Sequence, residues 1–158
     1  MNLGCSPTDQ VILVVTSPDD AAAVKDAPYD YVFLSIKALP DIYDMAAVIE
    51  SVVTPSHTCI LVNTTQALGL EAALEDRFPS NIVLSLVCGA DLSQIGPSEF
   101  EHRGNGSLWV GPATQHTSMA TVQADMAQAL VLTLGSGGQM DCQVSTNIRQ
   151  QQYEHVAG

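Results

Sequence analysis

The chain has 158 residues, 46% of them apolar and 14% charged, a balance that suits one folded domain and speaks against disorder. Five Lys and Arg stand against 17 Asp and Glu, so the formal net charge is −12. The basic residues Lys25, Lys37, Arg77, Arg103 and Arg149 are scattered, which argues against a nucleic-acid partner and against an anionic membrane surface.

Val11–Val15 (VILVV) is apolar at every position and predicts a strand buried on both faces. Ser17-Pro18-Asp19-Asp20 marks a helix start, with Ser17 as N-cap and Pro18 in the first helical position. That short helix, Asp19–Asp26, ends before Pro28. Tyr31–Ile36 is the second predicted strand, ending at Lys37. Pro40-Asp41 opens a helix to about Val53, with Ile42, Met45, Ala46 and Ile49 on one face. Thr58–Val62 is the third strand. Leu68–Phe78 is a helix with Leu70, Ala73, Leu74 and Phe78 inward, and Ile82–Val87 is a fourth strand stopped by Gly89. Strands and helices alternating over short connections predict an α/β fold, a mostly parallel sheet with helices on its faces.

The pattern then changes. Gly104-Asn105-Gly106, between Phe100–Arg103 and Ser107–Val110, predicts a β-hairpin turn. Ser118–Leu134 is a long apolar helix ended by Gly135-Ser136-Gly137-Gly138. Met140–Val144 is a last strand, and a terminal helix runs over Thr146–His155. With no linker or repeat, residues 1–158 read as one domain. Cys5, Cys59, Cys88 and Cys142 form no CxxC pair and predict structural thiols in a cytoplasmic setting. No run reaches the length of a membrane span, and the first residues show no secretory signal. His57, His102, His116 and His155 have no metal-ligand spacing, so no metal is expected.

In open α/β sheets ligands sit outside the carboxyl ends of the strands. Here those ends carry Lys37, then Asn63, Thr64, Thr65 and Gln66, then Cys88. This polar rim on apolar strands suits a small-molecule pocket. The plainer reading makes Asn63, Thr64 and Thr65 caps of the next helix and Lys37 a snorkelling strand-end residue. His102 either faces the strand ends or is an ordinary exposed hairpin residue. His155 is either a general acid or base or a terminal surface residue.

Four ordered motifs resemble the ketopantoate reductase (2-dehydropantoate 2-reductase) family, closest to its fungal reductase-like sequences. YDYVFLSIKA (29–38) is similar to the family's D-x-V-x-x-x-V-K-A strand, and TQALGLEAAL (65–74) to its Q-N-G-L-G turn and helix. IGPSEFEHRGNGSLWVG (95–111) resembles its glycine-rich hairpin, and NIRQQQYEHVAG (147–158) the D-I-R-x-x-x-W-x-K start of its second domain. The resemblance implies a Rossmann-like sheet, incomplete relative to the family, with Lys37 as the one cofactor-contacting residue retained. It also marks departures. No GxGxxG is present, Gln66 stands where the family has Asn, and His155 stands at the catalytic Lys. The helical second domain has no counterpart in these residues.

The expectation is therefore a small-molecule-binding protein that needs no cofactor. It would be a cyclase or isomerase acting on an apolar metabolite, with Lys37, Gln66 and His155 as catalytic candidates and Asn63, Thr64, Thr65, Cys88 and His102 as substrate contacts. The alternatives are a fragment of an NADP-dependent 2-oxoacid reductase and a non-catalytic binding module. In the family the strand before GxGxxG lies beside the strand matching Tyr31–Ile36, so its loss bares a sheet edge. Either Val11–Val15 or a second copy of the chain is expected to cover that edge, and a homodimer is the favoured outcome.

Overall fold

The computed structural model describes residues 12–36, 44–64, 69–113, 120–138 and 140–157, the side chains of 155–157 excepted. Three apolar runs build the parallel half of the sheet. They are β1 (Tyr31–Leu34), β2 (Cys59–Asn63) and the first part of β3 (Val83–Gly96). β4 (Glu99–Gly111) returns antiparallel to β3, and β5 (Met140–Val144) lies parallel to β4. The sheet has five strands in the order β1-β2-β3-β4-β5 among the described residues. This is the Rossmann-like α/β architecture expected from the alternation of elements.

Helices cover the two faces unequally. One face carries α1 (Pro18–Val24), α2 (Met45–Ile49) with a 3₁₀ turn at Glu50–Val52, and α3 (Leu70–Arg77). Its core packs Leu34, Ile49, Ile60, Val62, Leu74 and Val83 together. α5 (Ile148–Ala157) joins this layer, since its Gln152 reaches the same buried groups as Glu71 of α3. The other face carries one described helix, α4 (Ala120–Gly135), packed through Ala127, Leu130 and Val131 on Leu61, Leu84, Leu86, Leu108 and Val110. Side chains alternate across the strands, so consecutive residues of β2 feed opposite cores and the strand is apolar throughout. Among the described residues no helix is long and apolar enough to cross a membrane.

Local chemistry sets the helix starts. Ser17 Oγ accepts the Asp20 amide at 3.1 Å, the N-cap expected ahead of Pro18. Asp44 caps α2 by accepting the Ala47 amide at 3.2 Å. Asp44 itself is extended, so this helix starts at Met45 and not at Pro40-Asp41. Residues 40–43 lie outside the described residues.

Two expectations are corrected. The described part of the VILVV run, Ile12–Val15, forms no strand and is exposed. β propensity alone does not make a strand, because the ladder needs a partner and no described strand reaches this run. β1 therefore remains an edge among the described residues. Gly104-Asn105-Gly106 is not the hairpin turn. The chain turns at Pro97-Ser98, where Ser98 takes φ +60°. Gly89 pairs with Ser107 and Asp91 with Arg103, so Gly104-Asn105-Gly106 bulges opposite Ala90. Gly104 supplies the left-handed residue at φ +68°, and Gly106 stays in the ladder opposite Met140 of β5. Pairing with β3 before and after the bulge carries the strand on where the local sequence favours a turn.

The β4–β5 junction depends on a close approach. A Cβ on Gly111 would collide with the Ser145 carbonyl oxygen, and the Ser145 amide is bonded to the Val110 carbonyl at 2.8 Å. Backbone on both sides leaves little room to give. Gly111→Ala is expected to lower stability by about 1–3 kcal/mol, read as a reduced urea midpoint at unchanged m value. A midpoint equal to that of the parent would disprove the close packing.

Candidate functional site

The carboxyl ends of β2 and β3 are built differently on the two faces. On the face of α3 and α5 lies a buried polar network. Glu71, in the first turn of α3, is 1% exposed. Its Oε1 accepts Ser85 Oγ at 2.8 Å and Gln152 Nε2 at 2.8 Å, and its Oε2 accepts the Gly69 amide at 3.1 Å. Gln152 Nε2 also donates to Thr64 Oγ1 at 2.9 Å, and Thr64 Oγ1 donates to the Leu86 carbonyl at 3.1 Å. Each of these three partners gives Glu71 a donor, so both carboxyl oxygens are satisfied by neutral groups. The network ties α5 to α3 and to two strand ends.

On the opposite face is an apolar cleft. α4 packs over β2 to β5 and, among the described residues, leaves the β1 side of this face open. The gap has a volume of about 450 Å³. Tyr31, Phe33, Leu61, Leu86 and Leu108 form its floor, and Leu130, Thr133 and Leu134 of α4 form its wall. Met140, Asn63 and Cys88 complete the rim. Tyr31 and Phe33 are i, i+2 neighbours on β1, so alternation aims both rings into the gap. None of these lining residues carries a charge at neutral pH. Asn63 Nδ2 donates to Ser35 Oγ at 3.3 Å, and the Thr133 hydroxyl donates back to the Ala129 carbonyl of its own helix.

The thiols are held neutral. Burial, and then the neighbouring Cys142 thiol, push the Cys88 thiol above its ordinary value. Burial pushes Cys59 from 9.0 up to about 12. Cys88 is therefore a polarisable wall atom, not a thiolate nucleophile. Among the described residues no group of His, Cys, Asp and Glu is arranged to hold a metal ion.

The positions expected to form a site fall into three groups. Asn63 and Cys88 lie on the cleft rim. Thr64 is fully buried in the Glu71 network, on the opposite face of the sheet from Cys88, so these two do not converge. His102 is exposed on the β3–β4 arm, opposite Leu92. It flanks Gly106, where a Cβ would lie 3.5 Å from His102 Nε2 and 3.3 Å from Met140 Cε. Lys37, Thr65 and Gln66 lie outside the described residues, as does the side chain of His155 in α5. Sequence reasoning missed the cleft floor and the Glu71–Gln152 contact. The alternation of Tyr31 and Phe33 in YVFL was an available signal for the floor. For the contact there was only a lone acid in the apolar stretch Leu68–Leu74.

Gln152→Leu removes a donor from a buried carboxylate and is expected to cost about 3 kcal/mol. Combined with Glu71→Leu, the loss should be less than additive, with a coupling of about 1–3 kcal/mol. Additive losses in denaturant melts would show that the two side chains do not act together. Cys59 supplies a pH test. The unfolded chain loses this proton above pH 9, whereas the folded chain keeps it until about 12. The contribution is therefore complete below pH 9 and is lost as pH rises toward 12. Cys59→Ala should flatten the alkaline fall in stability, and an unchanged slope would refute the assignment.

Comparison with known proteins agrees with this geometry. The profile of the family described as "Ketopantoate reductase PanE/ApbA" matches residues 4–115. The "Meiotically up-regulated gene 72 protein" of Schizosaccharomyces pombe is 36% identical over 152 residues, covering 92% of this chain and 26% of that protein. A second protein of that yeast, "Uncharacterized protein C24B11.07c", is 31% identical over 82% of this chain and 22% of its own length. This chain thus spans about a quarter of these relatives. Among solved structures, the 2-dehydropantoate 2-reductase of Geobacter metallireducens superposes with a TM-score of 0.65 at 19% identity, over 89% of this chain and 42% of its own. That of Methylococcus capsulatus gives 0.63 at 21%, over 84% and 40%. These structural likenesses are ones of fold. The match over residues 4–115 carries the assignment: the chain belongs to the ketopantoate reductase family.

Proposed function

We propose that this chain is a small-molecule-binding derivative of the reductase fold that takes an apolar ligand in the cleft between α4 and the β1–β2 face. The single observation behind this reading is the cleft, about 450 Å³ of uncharged and mostly hydrocarbon wall opening beside the strand ends. NADP, the cofactor the family implies, suits this wall poorly. A pyrophosphate calls for backbone amides at a helix N-terminus or for basic side chains. The cleft presents aromatic and aliphatic groups, and the sequence has no GxGxxG turn. The residues lining the cleft therefore do not fit a dinucleotide.

The chemistry proposed for this cleft is rearrangement of an apolar substrate, a cyclisation or isomerisation. Such a reaction balances its own atoms and electrons and needs no external oxidant or reductant. Catalysis would come from holding one conformer against the sheet. Asn63 at the rim supplies a polar group, and Lys37, Gln66 and His155 are the catalytic candidates by motif. The family membership favours one second reading, an NADP-dependent 2-oxoacid reductase that is completed by further chain.

Fluorescence titration with a medium-chain fatty acid, an isoprenoid alcohol and NADPH separates the two. At least one apolar probe is expected to bind, while NADPH does not bind. Leu86→Trp, which fills the floor, should weaken that probe at least about tenfold, or 1.4 kcal/mol. Tight NADPH binding with no apolar binding would overturn the proposal and restore the reductase reading.

A further inference from the structure

We propose that two copies of this chain exchange their N-terminal runs, with Ile12–Val15 of each copy adding as a strand to the open edge of β1 in the other. The exchange does not depend on which ligand the cleft takes. Among the described residues β1 pairs only with β2. The Cys59 amide donates to the Asp30 carbonyl, so by alternation Tyr31 and Phe33 turn their N–H and C=O groups toward the free edge. This edge lacks the usual protection, because Tyr31–Leu34 contains no charge, no Pro and no bulge.

The same chain carries an unused strand. Ile12 is 85% exposed and Val14 86%, both β-branched and neither seated on its own β1. A strand that is apolar at every position needs cover on both faces. The β1 edge offers that. Val32 and Leu34 point to the core of α1 and α2, while Tyr31 and Phe33 point to the cleft. Four residues on the run match four on the edge. Charge selects this seam as well. A chain of net charge −12 repels its copies over most of its surface, yet neither Ile12–Val15 nor Tyr31–Leu34 holds a carboxylate. The adjoining Asp30 is in contact with His57 at 2.8 Å. The added strand would also wall the cleft on its open side, so the site is completed by the second copy.

Sedimentation velocity at rising micromolar concentration, with hydrogen exchange on the same samples, tests this. A dimer is expected, with protection of residues 12–15 and 31–34 growing as it forms. Val14→Asp removes an apolar anchor that is exposed in the single chain, so it should yield a monomer that melts with the parent at concentrations too low for the parent to dimerise. Phe33→Pro removes an outward N–H without touching the β2 ladder and should also yield a monomer. Mixing the two variants should restore a dimer, since one intact run then meets one intact edge. A monomer at all concentrations would overturn the exchange, and so would a dimer indifferent to both variants. Protection of both segments in a monomer would also overturn it and place the run on its own edge.

Discussion

The Glu71 carboxylate is the constraint around which the strand ends are organised. Removing a carboxylate from water costs several kcal/mol unless donors replace the solvent. Its donors come from Ser85 on β3, Gln152 on α5 and the amide of Gly69 ahead of α3. No single element can satisfy it. The buried carboxyl finds all of its donors only when α3, α5 and the sheet are together, which makes their docking one cooperative event. Thr64 extends the network to the end of β2 through Gln152.

This constraint decides which face remains accessible. The network and the cluster around Leu74 fill the space between the strands and α3 and α5. The opposite face has α4 alone among the described helices, and a single helix cannot span five strands. The part left open among the described residues, over β1 and beside β2, becomes the cleft. Its floor is apolar because the same strands must also supply the cores beneath the helices. The neutral thiol of Cys88 follows from the same surroundings, since a wall that excludes water disfavours a thiolate. The chemistry accessible there is contact and orientation.

The β3–β4 arm shows long pairing overriding local turn preference. Gly104-Asn105-Gly106 has the composition of a two-strand turn, yet β4 runs through it because β3 pairs with β4 on both sides of it, at Arg103 and at Ser107. The extra residues are absorbed as a bulge, and the chain reverses at Pro97-Ser98 instead. Gly111 serves a different need, backbone contact with Ser145.

Much of the fold was legible in the residues themselves. Tyr31–Leu34 and Cys59–Asn63 announce their strands by continuous apolar runs, Met140–Val144 by apolar residues at alternate positions, and Ser17-Pro18 announces α1 by a cap that needs only local bonds. These signals are short-range, so the sequence alone determined them, along with the parallel order and the family motifs. What only tertiary structure decided is every property that joins distant residues. Ile12–Val15 has strand composition but no ladder, because pairing is supplied by another element. Thr64 and Cys88 both end strands, yet the pleat sends them to opposite faces. Glu71 and Gln152 meet across most of the domain, and no local period foretells a contact between a helix near the middle of the chain and one at its end. Periodicity reveals which face a side chain occupies; only packing decides what stands opposite.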